Sequence, residues 1–193
     1  MKKNIQPPTA DQLEQELKRE RYKKRYRSTL QSTIYVLIAA AAVAVLVATL
    51  WMPVLQIYGS SMAPTLQEGE IVISLKGTDF EPGDIVAFYY GNRLLVKRYI
   101  AGPGSWVDID EEGNVTVDGV PLEEPYLLEK ALGASDLEYP YQVPDERYFL
   151  MGDNRETSVD SRHSAVGCVA EEQIVGEIVF RVWPMDSFGQ LGG

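Results

Sequence analysis

Histidine and cysteine are nearly absent: the 193 residues hold one of each, His163 and Cys168. A lone cysteine excludes a disulfide within the chain, and the pair is too few for a four-ligand zinc site built from Cys and His. Cys168 lies in the apolar run "VGCVA" (166–170) and reads as a buried small hydrophobe. Basic residues are scarce beyond position 27, with nine Lys/Arg against 24 Asp/Glu, a net −15. Residues 1–27 carry nine Lys/Arg and four Asp/Glu, a net +5. An acidic bulk of this kind is a poor partner for nucleic acid. Charge of either sign is missing altogether from Ile34 to Leu55, a stretch of 22 residues.

That uncharged stretch is "IYVLIAAAAVAVLVATLWMPVL". Roughly 20 apolar residues cross the ~30 Å hydrocarbon core as a helix. A cleavable signal has an apolar region of only about 7–15 residues near the N-terminus. This run is longer and starts more than 30 residues in. A helix apolar all round is also unusual as the core of so small a domain. The run reads as an uncleaved anchor in a lipid bilayer. Lys18, Arg19, Arg21, Lys23, Lys24, Arg25 and Arg27 crowd its N-terminal side, and the first basic residue after it is Lys76. The positive-inside rule then places the N-terminus in the cytoplasm and the rest outside. Trp51 and Tyr58, near the outer end, suit an interfacial aromatic belt. Three parts are expected: a basic cytoplasmic segment (1–27), a transmembrane helix (28–55) and an extracytoplasmic β-domain (56–193). Residues 9–27 look helical, with Leu13 and Leu17 four apart, and suit an anionic inner leaflet. Residues 1–8, with Pro7-Pro8, are expected to lack fixed structure.

After Leu66 the sequence breaks into short runs rich in Val, Ile, Tyr and Phe. They are "EIVISL" (70–75), "DIVAFYY" (84–90), "RLLVKRYI" (93–100), "SWVDID" (105–110), "NVTVDG" (114–119), "RYFLMG" (147–152) and "QIVGEIVFRVW" (173–183). Gly, Pro, Asn and Asp separate them, which is turn chemistry. The pattern predicts a mainly β domain of bent antiparallel sheets. Residues 125–146 read as an irregular loop with at most one helical turn.

Three stretches carry chemistry. In "IYGSSMAPTL" (57–66), Pro64 breaks any strand ladder, so a serine just before it sits in a fixed turn. The stretch alone does not separate a nucleophile from a plain serine-rich turn. A serine needs a base. A Ser-His-Asp triad rests wholly on His163, and no Gly-x-Ser-x-Gly elbow is present. Lysine is the other base, and only Lys76, Lys97 and Lys130 follow the anchor. Lys97 alone lies inside a strand pattern, with Leu95 and Tyr99 on its own face. Burial there lowers a lysine's pKa and frees the amine to take a proton; a strand-edge lysine in water is the alternative. The third stretch, "GDNRETSVDSR" (152–162), alternates Asp153, Arg155, Asp160 and Arg162. Paired carboxylates and guanidinium groups can lock such a loop, and Ser158 in its middle can aim a neutral lysine. No metal-ligand spacing and no phosphate-binding glycine loop is visible, so neither metal nor cofactor is expected.

Together "GSSMAPTL", "GDIVAF", "VKRYIAGPG" and "MGDNRETSVDSR" resemble, in order, the boxes of bacterial type I signal peptidases. The resemblance implies a β-sheet catalytic core and a membrane-bound serine endopeptidase with a Ser-Lys dyad. Its substrates would be preproteins cut after a small-x-small motif, near the secretion translocase. Box by box, it implies Ser61 as nucleophile, Lys97 as general base and Ser158 as the hydroxyl orienting it. Asp153, Asp160 and Arg162 would support the site, and Ile57, Gly59, Val72, Leu95 and Val96 would bound the substrate pockets. Two departures stand out. Gly59 replaces the serine that adds an oxyanion donor in some members, and Gly102-Pro103-Gly104-Ser105 replaces the usual Leu-Pro-Gly-Asp.

Overall fold

The computed structural model describes residues 9–77 and 79–191; the expectation for residues 1–8 lies outside them. The chain divides into one unit ending at Ala48 and a second beginning at Thr49.

Helix α1 runs from Ala10 to Trp51 without a break. Its polar half is rich in strong helix formers and carries spaced ion pairs, Glu14–Lys18, Glu16–Arg19 and Glu20–Lys23. Its apolar half includes an 18-residue window of mean hydropathy 2.5, long and apolar enough to cross a membrane. The helix stops short of the expected boundary at Leu55. Pro53 disfavours helical backbone at the residue before it. Val54–Gln56 instead forms strand β1, paired with Ile71–Ile73.

The second unit is two antiparallel sheets. Its further strands are β2 (Ile71–Leu75), β3 (Ile85–Tyr90), β4 (Arg93–Ala101), β5 (Trp106–Ile109), β6 (Val115–Val117) and β7 (Val120–Pro121). They continue as β8 (Tyr141–Gln142), β9 (Arg147–Met151), β10 (Val169–Ala170), β11 (Ile174–Trp183) and β12 (Gly189–Gln190). The large sheet has the order β1-β2-β11-β3-β4-β9-β10, with β12 beside β11. The small one has the order β7-β6-β5-β8. Every run expected as a strand contains one. The additional strands are short, and β8 lies in the stretch expected to be a loop. No helical turn is found in 125–146.

The hairpin β3–β4 matters most for the site. Its two-residue turn, Gly91-Asn92, fixes a register in which Val86 faces Lys97 and Ala87 faces Val96. β9 covers the second edge of β4 only at Arg98, Tyr99 and Ala101. The edge of residues 93–97 therefore has no strand neighbour among the described residues.

The sheets meet over one apolar cluster. Ile100, Phe149 and Met151 of the large sheet pack with Val107, Ile109 and Val115 of the small one. Cys168 belongs to this cluster, and burial pushes its thiol up to about 11. Phe149 is fully buried at this junction. Phe149→Ala is expected to destabilise the β unit by about 3–5 kcal/mol. Denaturant unfolding of the detergent-solubilised chain checks this, with a lowered midpoint as the expected result.

Candidate active site

Ser61 sits in a tight turn that follows β1. The Ala63 N–H donates to Ser60 O at 3.1 Å, and the Leu66 N–H to Met62 O at 2.9 Å. Buried Met62 and Leu66 anchor the turn in the apolar cluster that also holds Ile57, Val72 and Ala87. Lys97 comes from the middle of β4. Its Nζ lies 2.5 Å from Ser61 Oγ, across 36 residues of sequence. The side chain shares its strand face with Leu95 and Tyr99, both packed in an apolar cluster with Val86 and Phe88. Lys97 is 3% exposed. Desolvation lowers its pKa from 10.5 to about 8, opposed by Asp160 and Asp153 and assisted by Arg162.

The two nearby carboxylates do not pair with Lys97. Arg98 Nε donates to Asp153 Oδ1 at 2.8 Å and its Nη2 to Asp153 Oδ2 at 2.6 Å. Thr65 Oγ1 donates to the same carboxylate at 2.5 Å. Arg162 clamps Asp160 in the same bidentate way, at 2.9 Å for both contacts. Burial alone raises the Asp160 carboxyl. Arg162 and the Gly152 N–H outweigh it and hold the group below the ordinary carboxylate range. Of the four alternating charges in the loop, only Asp160 and Arg162 pair with each other. Asp153 reaches out to Arg98, and Arg155 to Glu124. Sequence proximity pointed to pairs inside the loop, but Asp153 and Arg155 find their partners outside it.

The segment 124–133 straps this loop from outside. Glu124 and Arg155 form an ion pair whose side chains are both fully buried. The Tyr126 ring covers the Arg98 guanidinium, 3.7 Å from its carbon to the ring centroid. Arg162 Nη1 donates to Leu132 O at 2.7 Å and to Ala131 O at 3.3 Å. Glu124 and Tyr126 carried no recognisable signal in sequence. Their partners are 31 and 28 residues away, and only the fold brings them together.

Ser158 enters the site differently from expectation. Its Oγ is buried and makes no well-aligned hydrogen bond among the described residues, Lys97 included, but it faces the Asp160 carboxylate and helps to hold that group low. It also packs against Gly152, where a Cβ would lie 2.2 Å from Ser158 Oγ and 2.5 Å from Ser61 O. Only glycine fits between the loop and the serine turn. Asn154 N–H then donates to Ser61 O at 3.0 Å and ties the two stretches together.

A narrow cleft of about 50 Å³ opens at the dyad. Ile57, Gly59, Leu95 and Val96 line it, together with Leu55 and Leu94. Val72 does not. It is fully buried behind the wall, in contact with the cluster that supports Ile57. Gly59 has φ +80°, a backbone region that side chains rarely adopt. No acceptor takes the Ser61 N–H among the described residues. His163 lies in an exposed turn, 3.7 Å from Asp136, with the Ala165 N–H donating to its Nδ1 at 3.1 Å. Among the described residues no group of three or more His, Cys, Asp or Glu is placed to hold a metal ion.

A serine hydroxyl within hydrogen-bond reach of a desolvated lysine is an arrangement in which a serine can serve as a nucleophile. The family described as signal peptidase, peptidase S26, matches residues 30–183. The chain belongs to that family of serine peptidases, whose signal peptidase I members remove signal peptides. A probable signal peptidase I-1 of Synechocystis is 36% identical over 151 residues, 70% of this chain and 74% of that protein. Signal peptidase IB of Staphylococcus aureus is 36% identical over 152 residues, 68% of this chain and 78% of that protein. A solved signal peptidase I from Enterococcus faecalis aligns with a TM-score of 0.43 at 26% identity, covering 52% of this chain and 97% of that one.

Removing the Glu124 carboxylate would strand the buried Arg155 guanidinium. Glu124→Leu is expected to lower unfolding stability by about 3–5 kcal/mol, as loss of one partner of a buried pair does. Thermal melts of the parent and the variant measure this; an unchanged melting temperature would show that the strap contributes nothing.

Proposed function

We propose that this chain is a membrane-bound signal peptidase in which Ser61 is the nucleophile and Lys97 the general base. One observation carries the reading: the Lys97 amine lies 2.5 Å from Ser61 Oγ with a pKa lowered to about 8. A substantial neutral fraction of Lys97 is then available near physiological pH.

The mechanism runs in four steps. Neutral Lys97 takes the Ser61 proton as Oγ attacks the scissile carbonyl. The Ser61 backbone N–H stabilises the oxyanion that forms. The protonated lysine then gives its proton to the leaving amine as the C–N bond breaks. Finally Lys97 takes a proton from water, the resulting hydroxyl attacks the ester, and Ser61 leaves with that proton. Asp153 with Arg98, and Asp160 with Arg162, hold the loop that seats the serine turn. Neutral Ser158 fills the space beside them.

Substrate choice follows from the cleft. A space of about 50 Å³ admits an alanine-sized side chain and little more, which supports cleavage after a small-x-small motif. The strand-free edge of residues 93–97 offers backbone partners to an extended peptide. Gly59 contributes no side-chain donor, and its φ of +80° opposes adding one. Helix α1 serves as a single-pass anchor. The basic residues before its apolar half favour a cytoplasmic N-terminus and an extracytoplasmic β unit, close to the secretion translocase that delivers preproteins.

Ser61→Ala and Lys97→Ala are each expected to lower kcat on an Ala-x-Ala preprotein by roughly a thousandfold or more. His163→Ala should keep kcat within about twofold. Gel-based cleavage of a labelled preprotein, with folding checked by circular dichroism, measures all three. Substantial turnover by either dyad variant would reject the assignment. The pH profile tests the base separately. Below about 8 the lysine holds its proton and cannot act, so kcat/KM should fall about tenfold per pH unit there. It should level off above that value, and a flat profile from acidic to alkaline pH would exclude a lysine base.

A further inference from the structure

A second and larger cavity lies between the end of the serine turn and residues 153–156. Its volume is about 450 Å³, within the roughly 300–1,000 Å³ usual for ligand pockets. Its walls include Ala63, Pro64 and Gln67 on one side and Leu128, Glu129 and Glu156 on the other. Both walls place it beyond the dyad as seen from the narrow cleft. The cleft is bordered mainly by residues 55–59, before Ser61, with Ser61 and Met62 at its end, and by residues 94–97, up to the base. The cavity is bordered by residues just after Ser61, and by Asp153, whose partner Arg98 follows Lys97 directly. Asn154, another wall residue, donates its N–H to Ser61 O at 3.0 Å. A peptide that fills the cleft and presents its carbonyl to Ser61 thus has its leaving segment on the cavity side.

The charges around the cavity are unequal. Asp153 is matched by Arg98, and Arg155 by Glu124. Glu129 and Glu156 are exposed and have no ion-pair partner among the described residues. Arg155 is 1% exposed, lines the cavity, and leaves its Nη1 without a hydrogen-bond partner. That buried donor lacks an acceptor of the kind a main-chain carbonyl supplies.

We propose that this cavity receives the first few residues of the mature chain, and that Glu129 and Glu156 make it favour basic over acidic side chains there. The inference rests on the signal-peptidase reading and extends it to the leaving side of the cut. Arg155 supplies a donor to the main chain of the bound segment. The two glutamates act on its side chains and on the α-ammonium group released by cleavage. Their influence is electrostatic and weakens with salt.

The test uses three otherwise identical Ala-x-Ala peptides carrying Lys, Ser or Glu at the second to fourth positions after the cut. The full-length enzyme in detergent cleaves them at low and high ionic strength. At low salt kcat/KM is expected to be about tenfold higher for the Lys peptide than for the Glu peptide, with Ser between. E129Q/E156Q should reduce that ratio to about twofold or less, and E129K/E156K should invert it. E171Q/E172Q, which removes the same charge from an exposed turn elsewhere, should leave the ratio as in the parent. Equal cleavage of all three peptides by the parent overturns the cavity assignment and leaves the dyad intact. So does an undiminished ratio in E129Q/E156Q, or a ratio lost equally in E171Q/E172Q. Failure to cut any of the peptides overturns both readings.

Discussion

A lysine buried with its amine near a serine has to be kept from its natural partners. Asp153 and Asp160 both act on Lys97 and raise its pKa. Either carboxylate, left free, would draw the ammonium into an ion pair and hold the proton on it. Each is instead occupied by a bidentate guanidinium, Arg98 on Asp153 and Arg162 on Asp160. The arginines thus discharge the surroundings of the lysine while keeping the loop rigid. Desolvation then dominates, and the amine sits near pKa 8. The polar part of the site is best understood as a means of burying charges in matched pairs so that one amine can stay unmatched.

Burying three ion pairs around one loop requires outside support. The donors of Arg162 are distributed over Asp160, Leu132 O and Arg155 O. Arg98 is sandwiched between Asp153 and Tyr126. Both arrangements depend on the segment 124–133, which has almost no regular structure of its own. Its backbone is turned inward for this purpose: the carbonyls of Ala131 and Leu132 accept from the Arg162 guanidinium. Gly133 allows the approach, since a Cβ there would lie 2.2 Å from Arg155 O. A stretch that looks like a connecting loop is therefore a structural part of the site.

What could be read from sequence follows the range of the interactions involved. Periodicity of 2 and turn residues are local, so the runs that hold β2 to β6, β9 and β11 stood out. Ser61 and Lys97 stood out as candidates because competitors are few: one histidine, and beyond the apolar run two other lysines in turns or loops. Strand β1 was hidden because Val54 and Leu55 extend the apolar run of the helix, and only Pro53 marks the change. The pairing of Asp153 with Arg98 spans 55 residues, and that of Arg155 with Glu124 spans 31. Within the loop the alternating charges suggested nearer partners. Sequence carries the charges but not the turn geometry that aims them. Val72 illustrates the same limit on the apolar side, since wall and backing residues are equally apolar in sequence.

Strand β4 joins the chemistry to the specificity. Alternate residues point to opposite faces, so Lys97 and Leu95 share one side while Leu94 and Val96 share the other. The clusters show this division: Leu95 packs with Val86 and Phe88, whereas Leu94 and Val96 pack with Ile57 and Met62. A slip of one residue would turn the Lys97 amine away from Ser61 and bring a neighbouring apolar side chain to its place. The tight turn at Gly91-Asn92 and six paired residues with β3 prevent that slip on one edge. On the other edge β9 holds β4 only beyond Lys97, which leaves residues 93–97 without a strand neighbour there among the described residues. The strand is thus held by β3 over Arg93–Arg98 and by β9 from Arg98 to Ala101. One register sets both the position of the Lys97 amine and the narrowness of the cleft, so neither can drift without the other.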